Sequence, residues 1–397
     1  MTAIVGILNK RAIAVAADSA ETIGSGIKIY NNANKIFTLS KYNPIGIAIY
    51  GNAFFNSCIP WEIIIKSYRN KLKNRSFKTV KEYAEDFMRY LDYYKKEYLK
   101  EQDIDNVLID EIRQFWRNLQ LKLNPNQSIQ DSINLFKSSP AIASLQKLDK
   151  KRFVLKCEPF FKEINENLPS INNQLIKDLT YEFYIKKTQY RHNSGIAFFG
   201  YGEDEIYPVL YRLVVYNCFD NKLIWEFQDV NEIKNMNSDS FICPMAQTDV
   251  IATYITGISP LIENTFINST IETIKTTLSN IGLISHSLKG AIDKIDINPI
   301  IDKYIEKLRK FKQEKIISPL MLTVATMEKE DLAELAENLI YLTSLKRRIT
   351  PNLESVGGPI DVAIVSKGDG FIWIKRKHYF DPELNQGYFN NYFDTDK

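Results

Sequence analysis

The chain has 397 residues, 51 basic and 48 acidic side chains, a net charge of +3, and apolar and charged fractions of 45% and 25%. Those values fit a globular protein of one large domain or two to three ordinary ones, with room for a sizeable core. They exclude nucleic-acid or membrane binding driven by bulk charge.

The four cysteines (Cys58, Cys157, Cys218, Cys243) have no metal-ligand or redox spacing, and His192, His286 and His378 lie far apart in the chain. No metal site and no cofactor is therefore expected, and a reducing cytoplasm is the simplest compartment. Asn9, Lys10 and Arg11 interrupt the first apolar run, so the N-terminus does not read as a signal peptide. No segment is long and apolar enough to suggest a membrane span.

In chain order, Ala3–Leu8 and Ala12–Ala17 read as two strands joined by a turn at Asn9-Lys10-Arg11. Both are nearly continuously apolar, as suits a sheet covered on both faces. A loop containing Gly24 and Gly26 follows, then strands over Lys35–Leu39 and Ile45–Tyr50. Beyond Gly51 the period becomes helical: Ile63, Ile64, Tyr68 and Leu72 share one face, and Val80, Tyr83, Ala84, Phe87, Leu91 and Tyr94 another. Four strands followed by two helices argue against a doubly wound sheet. Residues of about 95–191 read as an inserted helical region. Strand character resumes at Ile196–Phe199 and Val209–Tyr216. Residues 261–318 are again helical, with Ile271, Ile274, Leu278 and Ile281 on one face. A helix through Leu332, Leu335, Ala336, Leu339 and Ile340 ends in basic residues 346–348, where cations favour a C-terminus. Ile360–Val365 and Phe371–Lys375 close the chain as a hairpin around Lys367-Gly368-Asp369-Gly370.

The chemistry begins at Thr2. Removal of Met1 from before this small residue puts a hydroxyl and a free α-amine on one residue. An α-amine with a reference pKa of about 7.7–8.0 can act as base near neutral pH. A threonine paired with its own amine is an activated nucleophile. Taken alone, Thr2 is an ordinary second residue, Asp18-Ser19 reads equally as an Asx-type turn, Lys35 as a solvated strand lysine and Gly51 as a turn glycine.

Together the order and spacing change that. Thr2-Ala3-Ile4-Val5, Ala14-Val15-Ala16-Ala17-Asp18-Ser19, Thr22-Ile23-Gly24, Asn34-Lys35-Ile36 and Tyr50-Gly51-Asn52-Ala53 resemble the proteasome β-subunit family and its bacterial heat-shock-locus peptidase relatives. The resemblance is strong over residues 2–55. It is weaker at 60–94, at 195–250 around Phe199-Gly200-Tyr201-Gly202, and at 325–378 around Val356-Gly357-Gly358-Pro359-Ile360-Asp361. It implies an α+β fold: a four-layer αββα sandwich of two antiparallel sheets, in one N-terminal-nucleophile (Ntn) hydrolase domain over 1–397. The helical insertions then cover about 95–191 and 255–320.

By the same resemblance Thr2 Oγ1 attacks a peptide carbonyl, Lys35 favours the alkoxide, Asp18 holds Lys35, and the Gly51 N–H faces the developing oxyanion. Glu21, Ala33, Ile49 and Ala53 fall where the family lines its substrate pocket, although core packing explains the last three equally well. The implied partners are a peptide or protein substrate, further copies of the chain in a ring, and a regulatory ATPase. Neither nucleic acid nor membrane is expected.

Two departures bear on the site. The family's Gly-Ser-Gly-Ser segment is represented here by Phe241-Ile242-Cys243-Pro244-Met245-Ala246-Gln247, without its serine. The Asp and Ser that precede its last Gly-Gly are represented by Pro351-Asn352-Leu353-Glu354-Ser355-Val356. Two further classes therefore stand beside the peptidase: a non-catalytic structural or regulatory subunit, and an amidase that uses the same nucleophile on a small amide.

Overall fold

The run AIVGILN becomes strand β1 (Ala3–Asn9) and IAVAA becomes β2 (Ile13–Ala17), and every residue of both strands is buried. The computed structural model describes residues 2–23, 28–119, 125–186, 193–220, 222–233, 239–284, 296–350, 356–381 and 383–387. The expected turn glycines 24 and 26, His192, His286 and the stretch 351–355, with Glu354 and Ser355, lie outside them. The chain divides into two compact units. The first comprises residues 1–33, 233–366 and 372–397, and the second 34–232 and 367–371.

In the first unit, β1 and β2 pair antiparallel, Gly6 opposite Val15. β12 (Ser240–Ala246) pairs along the outer side of β1, from Ala3 opposite Ala246 to Asn9 opposite Ser240. β13 (Asp361–Ser366) pairs with β2, and β14 (Gly370–Lys375) completes the order β12-β1-β2-β13-β14. β3 (Glu21–Ile23) and β4 (Lys28–Tyr30) form a separate small ribbon. The helix that ends in the basic cluster, Lys329–Ile349, packs its Leu332, Ala336, Leu339 and Ile340 on Ala3, Val5, Ile7, Ala14 and Ala16. At about 25 cal/mol per Å² of apolar surface removed from water, such an interface is the main cohesive force of this unit. Asn9 fixes the far end of β1: its Nδ2 donates to Val324 O and Met327 O, while its Oδ1 accepts from Arg11 and Ala12 N–H.

The second unit has the sheet order β11-β10-β9-β6-β5: Trp225–Glu232, Val209–Tyr216, Asn193–Gly200, Ile45–Gly51 and Ile36–Thr38, with β7 (Phe54–Phe55) and β8 (Ile59–Pro60) as a separate two-stranded ribbon. Helices α1 (Trp61–Leu72) and α2 (Val80–Tyr98) cover one face, with Phe87 edge-on to both Tyr68 and Phe198. Thr79 caps α2 by accepting from Glu82 N–H, as the spacing Thr-x-x-Glu favours. Five further helices, α3–α7 (Glu101–Asn118, Pro125–Ser138, Lys150–Lys156, Glu158–Asn167 and Asn173–Ile185), build their own aromatic core, in which Phe115 stacks on Phe183 at 4.0 Å. The fold is thus mixed α+β, with two antiparallel five-stranded sheets among helices.

Several expectations shift in detail. Ile63 is solvent-exposed on α1, and Ile65 takes the core position instead. The apolar face expected around Ile271 lies on α9 (Pro260–Ile284), following α8 (Asp249–Thr256). None of residues 260–281 is buried; Ile271, Ile274 and Leu278 are half-buried and Ile281 is exposed. Among the described residues no single helix is long and apolar enough to cross a membrane. α8 and α9 meet that measure only as a pair bent by 70°.

Candidate functional site

Thr2 enters β1 with only 8% of its surface exposed. Its backbone is fixed from two sides. Thr2 O accepts from Gln247 N–H at 3.1 Å, and the neighbouring Ala3 N–H donates to Asp18 Oδ1 at 2.8 Å. Ala246 has φ +65°, a left-handed conformation uncommon for alanine, and Gln247 follows it directly to meet Thr2.

Asp18 closes β2, and it does form the Asx-type turn that its sequence allows, with Ala20 N–H donating to Oδ2 at 3.1 Å. It also does more. Gly357 N–H donates to the same oxygen at 3.1 Å, so one carboxylate collects three backbone donors at 1% exposure. Hydrogen bonds to an ionised acceptor are worth about 1.5–3 kcal/mol each. The carboxylate therefore ties the start of β1 to the turn after β2 and to the segment ahead of β13.

Lys35 and Gly51 stand in the second unit. Lys35 immediately precedes β5, is 6% exposed, and accepts Ile49 N–H on its carbonyl at 2.9 Å, which locks it to β6. An ammonium is rarely held so far from water unless paired. Gly51 ends β6 at φ +81°, where a Cβ would sit 2.7 Å from Asn193 O. The turn after it is pinned by Asn52 N–H to Asn193 O at 3.0 Å, and by Ser194 Oγ, which donates to Asn52 O at 2.8 Å while accepting from Trp61 Nε1 at 2.9 Å. Gly51→Ala is expected to cost at least about 1–2 kcal/mol, from the left-handed φ alone. Urea denaturation measures it, and a variant as stable as the parent would show that the turn relaxes freely. Beside it, burial pushes the Tyr50 hydroxyl up to about 12, so this phenol stays protonated at neutral pH.

The four pocket candidates divide between the units. Glu21 is half-buried on β3 opposite Tyr30. Ala33 is half-buried and donates its N–H to Ser19 O at 3.0 Å. Ile49 belongs to the core under α1 and α2, and half-buried Ala53 accepts Trp61 N–H at 3.1 Å. Within the first unit the structure thus brings together Thr2, Asp18 and, through Ser19, Ala33; within the second it links Lys35 to Ile49. Sequence reasoning missed the parts of Ser19, Gly357, Ser194 and Trp61. Ser19 carried a signal as the last residue of the Ala16-Ala17-Asp18-Ser19 motif, and Gly357 in its Gly-Gly pair. Among the described residues no group of three His, Cys, Asp or Glu side chains is arranged to hold a metal ion.

No protein-family model matches the chain, and no curated protein matches it. Solved structures to which it is similar include Anbu, an ancestral β-subunit, from Yersinia bercovieri. That likeness has 11% identity and a TM-score of 0.31, over 98% of this chain and 94% of that one. A Gly-1 mutant of Anbu from Hyphomicrobium sp. strain MC1 gives 9% and 0.30 over 99% and 95%, and the helical assembly of the Anbu complex from Pseudomonas aeruginosa gives 9% and 0.29 over 99% and 94%. At these TM-scores the likenesses assign neither fold nor activity to this chain. The expected membership of the proteasome β-subunit and heat-shock-locus peptidase family is corrected accordingly. No model of that family matches, and the similar structures are Anbu proteins, proteasome-like but distinct from it.

Proposed function

We propose that the protein is an N-terminal threonine hydrolase that cleaves peptide bonds through an acyl-threonine ester once Thr2 is the first residue. The four-layer αββα Ntn arrangement is part of the same proposal. The observation that carries it is the buried Asp18 carboxylate, which accepts from Ala3, Ala20 and Gly357 N–H and so fixes the residue next to the nucleophile. In the reaction the Thr2 α-amine, acting through water, takes the proton from Oγ1, and Oγ1 forms a bond to the peptide carbonyl carbon. The C–N bond then breaks, the proton passes to the leaving amine, and water later hydrolyses the ester. Lys35 as ammonium stabilises the alkoxide, and the Gly51 N–H donates to the oxyanion.

The test is the intact mass of the purified protein before and after incubation with a peptide epoxyketone, a warhead that reacts with the hydroxyl and free amine of one residue. Loss of Met1 and a single adduct at Thr2 are expected. A retained Met1, or a free Thr2 that never reacts, overturns the proposal in favour of a non-catalytic subunit. Lys35→Ala is expected to slow alkylation by about 10²–10³-fold, the scale of a lost electrostatic stabiliser. Wild-type rates in that variant remove Lys35 from the reaction.

A further inference from the structure

We infer that Ser19 is a positioning residue, holding a four-residue strap, 356–359, against Asp18 and through it aligning the nucleophile strand; the inference rests on Thr2 being the nucleophile. Ser19 is fully buried and uses all of its polar backbone and side-chain atoms. Its N–H donates to Gly357 O at 3.0 Å, its carbonyl accepts Ala33 N–H at 3.0 Å, and its Oγ donates to Pro359 O at 2.5 Å. The strap answers from the other side, with Gly357 N–H on Asp18 Oδ2 at 3.1 Å.

Two further contacts grip the strap. Ser344 Oγ, on the Lys329–Ile349 helix, donates to Val356 O at 3.3 Å. Gly358 adopts φ +75° with its Cβ position 2.9 Å from Asn31 O, so only glycine lets the strap lie this close. A line of contacts therefore runs from Ser344 and Ser19 through Gly357 to Asp18, and from Asp18 Oδ1 to the N–H of Ala3, beside Thr2. Ser19 touches none of the reacting atoms in the proposed mechanism. Its hydroxyl removes the freedom of Pro359, and with it the freedom of the Gly357 donor to leave the carboxylate. A nucleophile displaced by about 1 Å can lose on the order of 10²-fold in rate.

Ser19→Ala is expected to lower the rate constant of Thr2 alkylation by about 10–100-fold, to leave the concentration for half-maximal rate unchanged, and to speed hydrogen exchange at the Ala3 amide. The thermal midpoint checks that the variant is folded. Ser344→Ala, which loosens the opposite end of the strap, is expected to give the same signature more weakly. Ala3 protection and alkylation rates equal to the parent in both folded variants overturn the positioning role. A parent protein that never reacts at Thr2 overturns instead the nucleophile on which the role rests, and the exchange measurement keeps the two failures apart.

Discussion

Thr2→Ala is expected to abolish the epoxyketone adduct and to lower peptide hydrolysis by at least about 10³-fold, with little change in thermal midpoint. Removing the nucleophile of a hydroxyl-dependent acyl transfer forfeits the covalent route and leaves only residual electrostatic stabilisation and binding. Folding survives because the contacts that seat the residue are backbone contacts: Thr2 O still meets Gln247 N–H, and Ala3 N–H still meets Asp18. Thr2→Ser, which keeps a hydroxyl and an amine on one residue, is expected to retain the adduct. Hydrolysis by Thr2→Ala at the parent's rate would place the chemistry elsewhere.

The second large effect is expected at Asp18, and it is one of stability. Asp18→Asn is nearly isosteric, yet both carboxylate oxygens accept backbone donors: Oδ1 from Ala3, and Oδ2 from Ala20 and Gly357. An amide has one acceptor oxygen and one NH₂ group. Whichever way it turns, at least one buried N–H faces another donor. An unsatisfied buried donor costs about 1–3 kcal/mol, so a loss of at least that size is expected in urea denaturation, together with loss of alkylation. An Asp18→Asn protein of parental stability would show that the three contacts are not what holds this end of the strand.

How far the sequence foretold this can be followed strand by strand. β1 and β2 were legible because their unbroken apolar runs suit strands buried on both faces, and they form over Ala3–Asn9 and Ile13–Ala17. β12 was not recognised. Pro244 sits in its middle, which argues against a strand, but β12 is an edge strand, where proline is tolerated. β11 was missed for the opposite reason: WEFQDVNE is polar and charged, as an edge strand can be.

Of the proposed catalytic residues, Thr2, Asp18, Lys35 and Gly51 stood out in the sequence through the family resemblance of the first 55 residues. The strap's Val356-Gly357-Gly358-Pro359 was legible as a segment, but its bond to Asp18 was not, because Asp18 and Gly357 are 339 positions apart and no local pattern joins them. The long separation between Trp61 and Ser194, 133 positions, hid their hydrogen bond in the same way.

That separation has a consequence for the making of the protein. A ribosome adds roughly 5–20 residues per second, so about 20–70 s pass between the emergence of Asp18 and that of Gly357. Throughout that interval β2 lacks its neighbour β13, and the Asp18 carboxylate lacks its third donor. Pairings that join the ends of a long chain are also slow to close once both ends exist. β2 thus waits for β13, and Asp18 for a donor made 339 positions later, so a nascent chain carries Asp18 without its Gly357 contact until that segment has emerged.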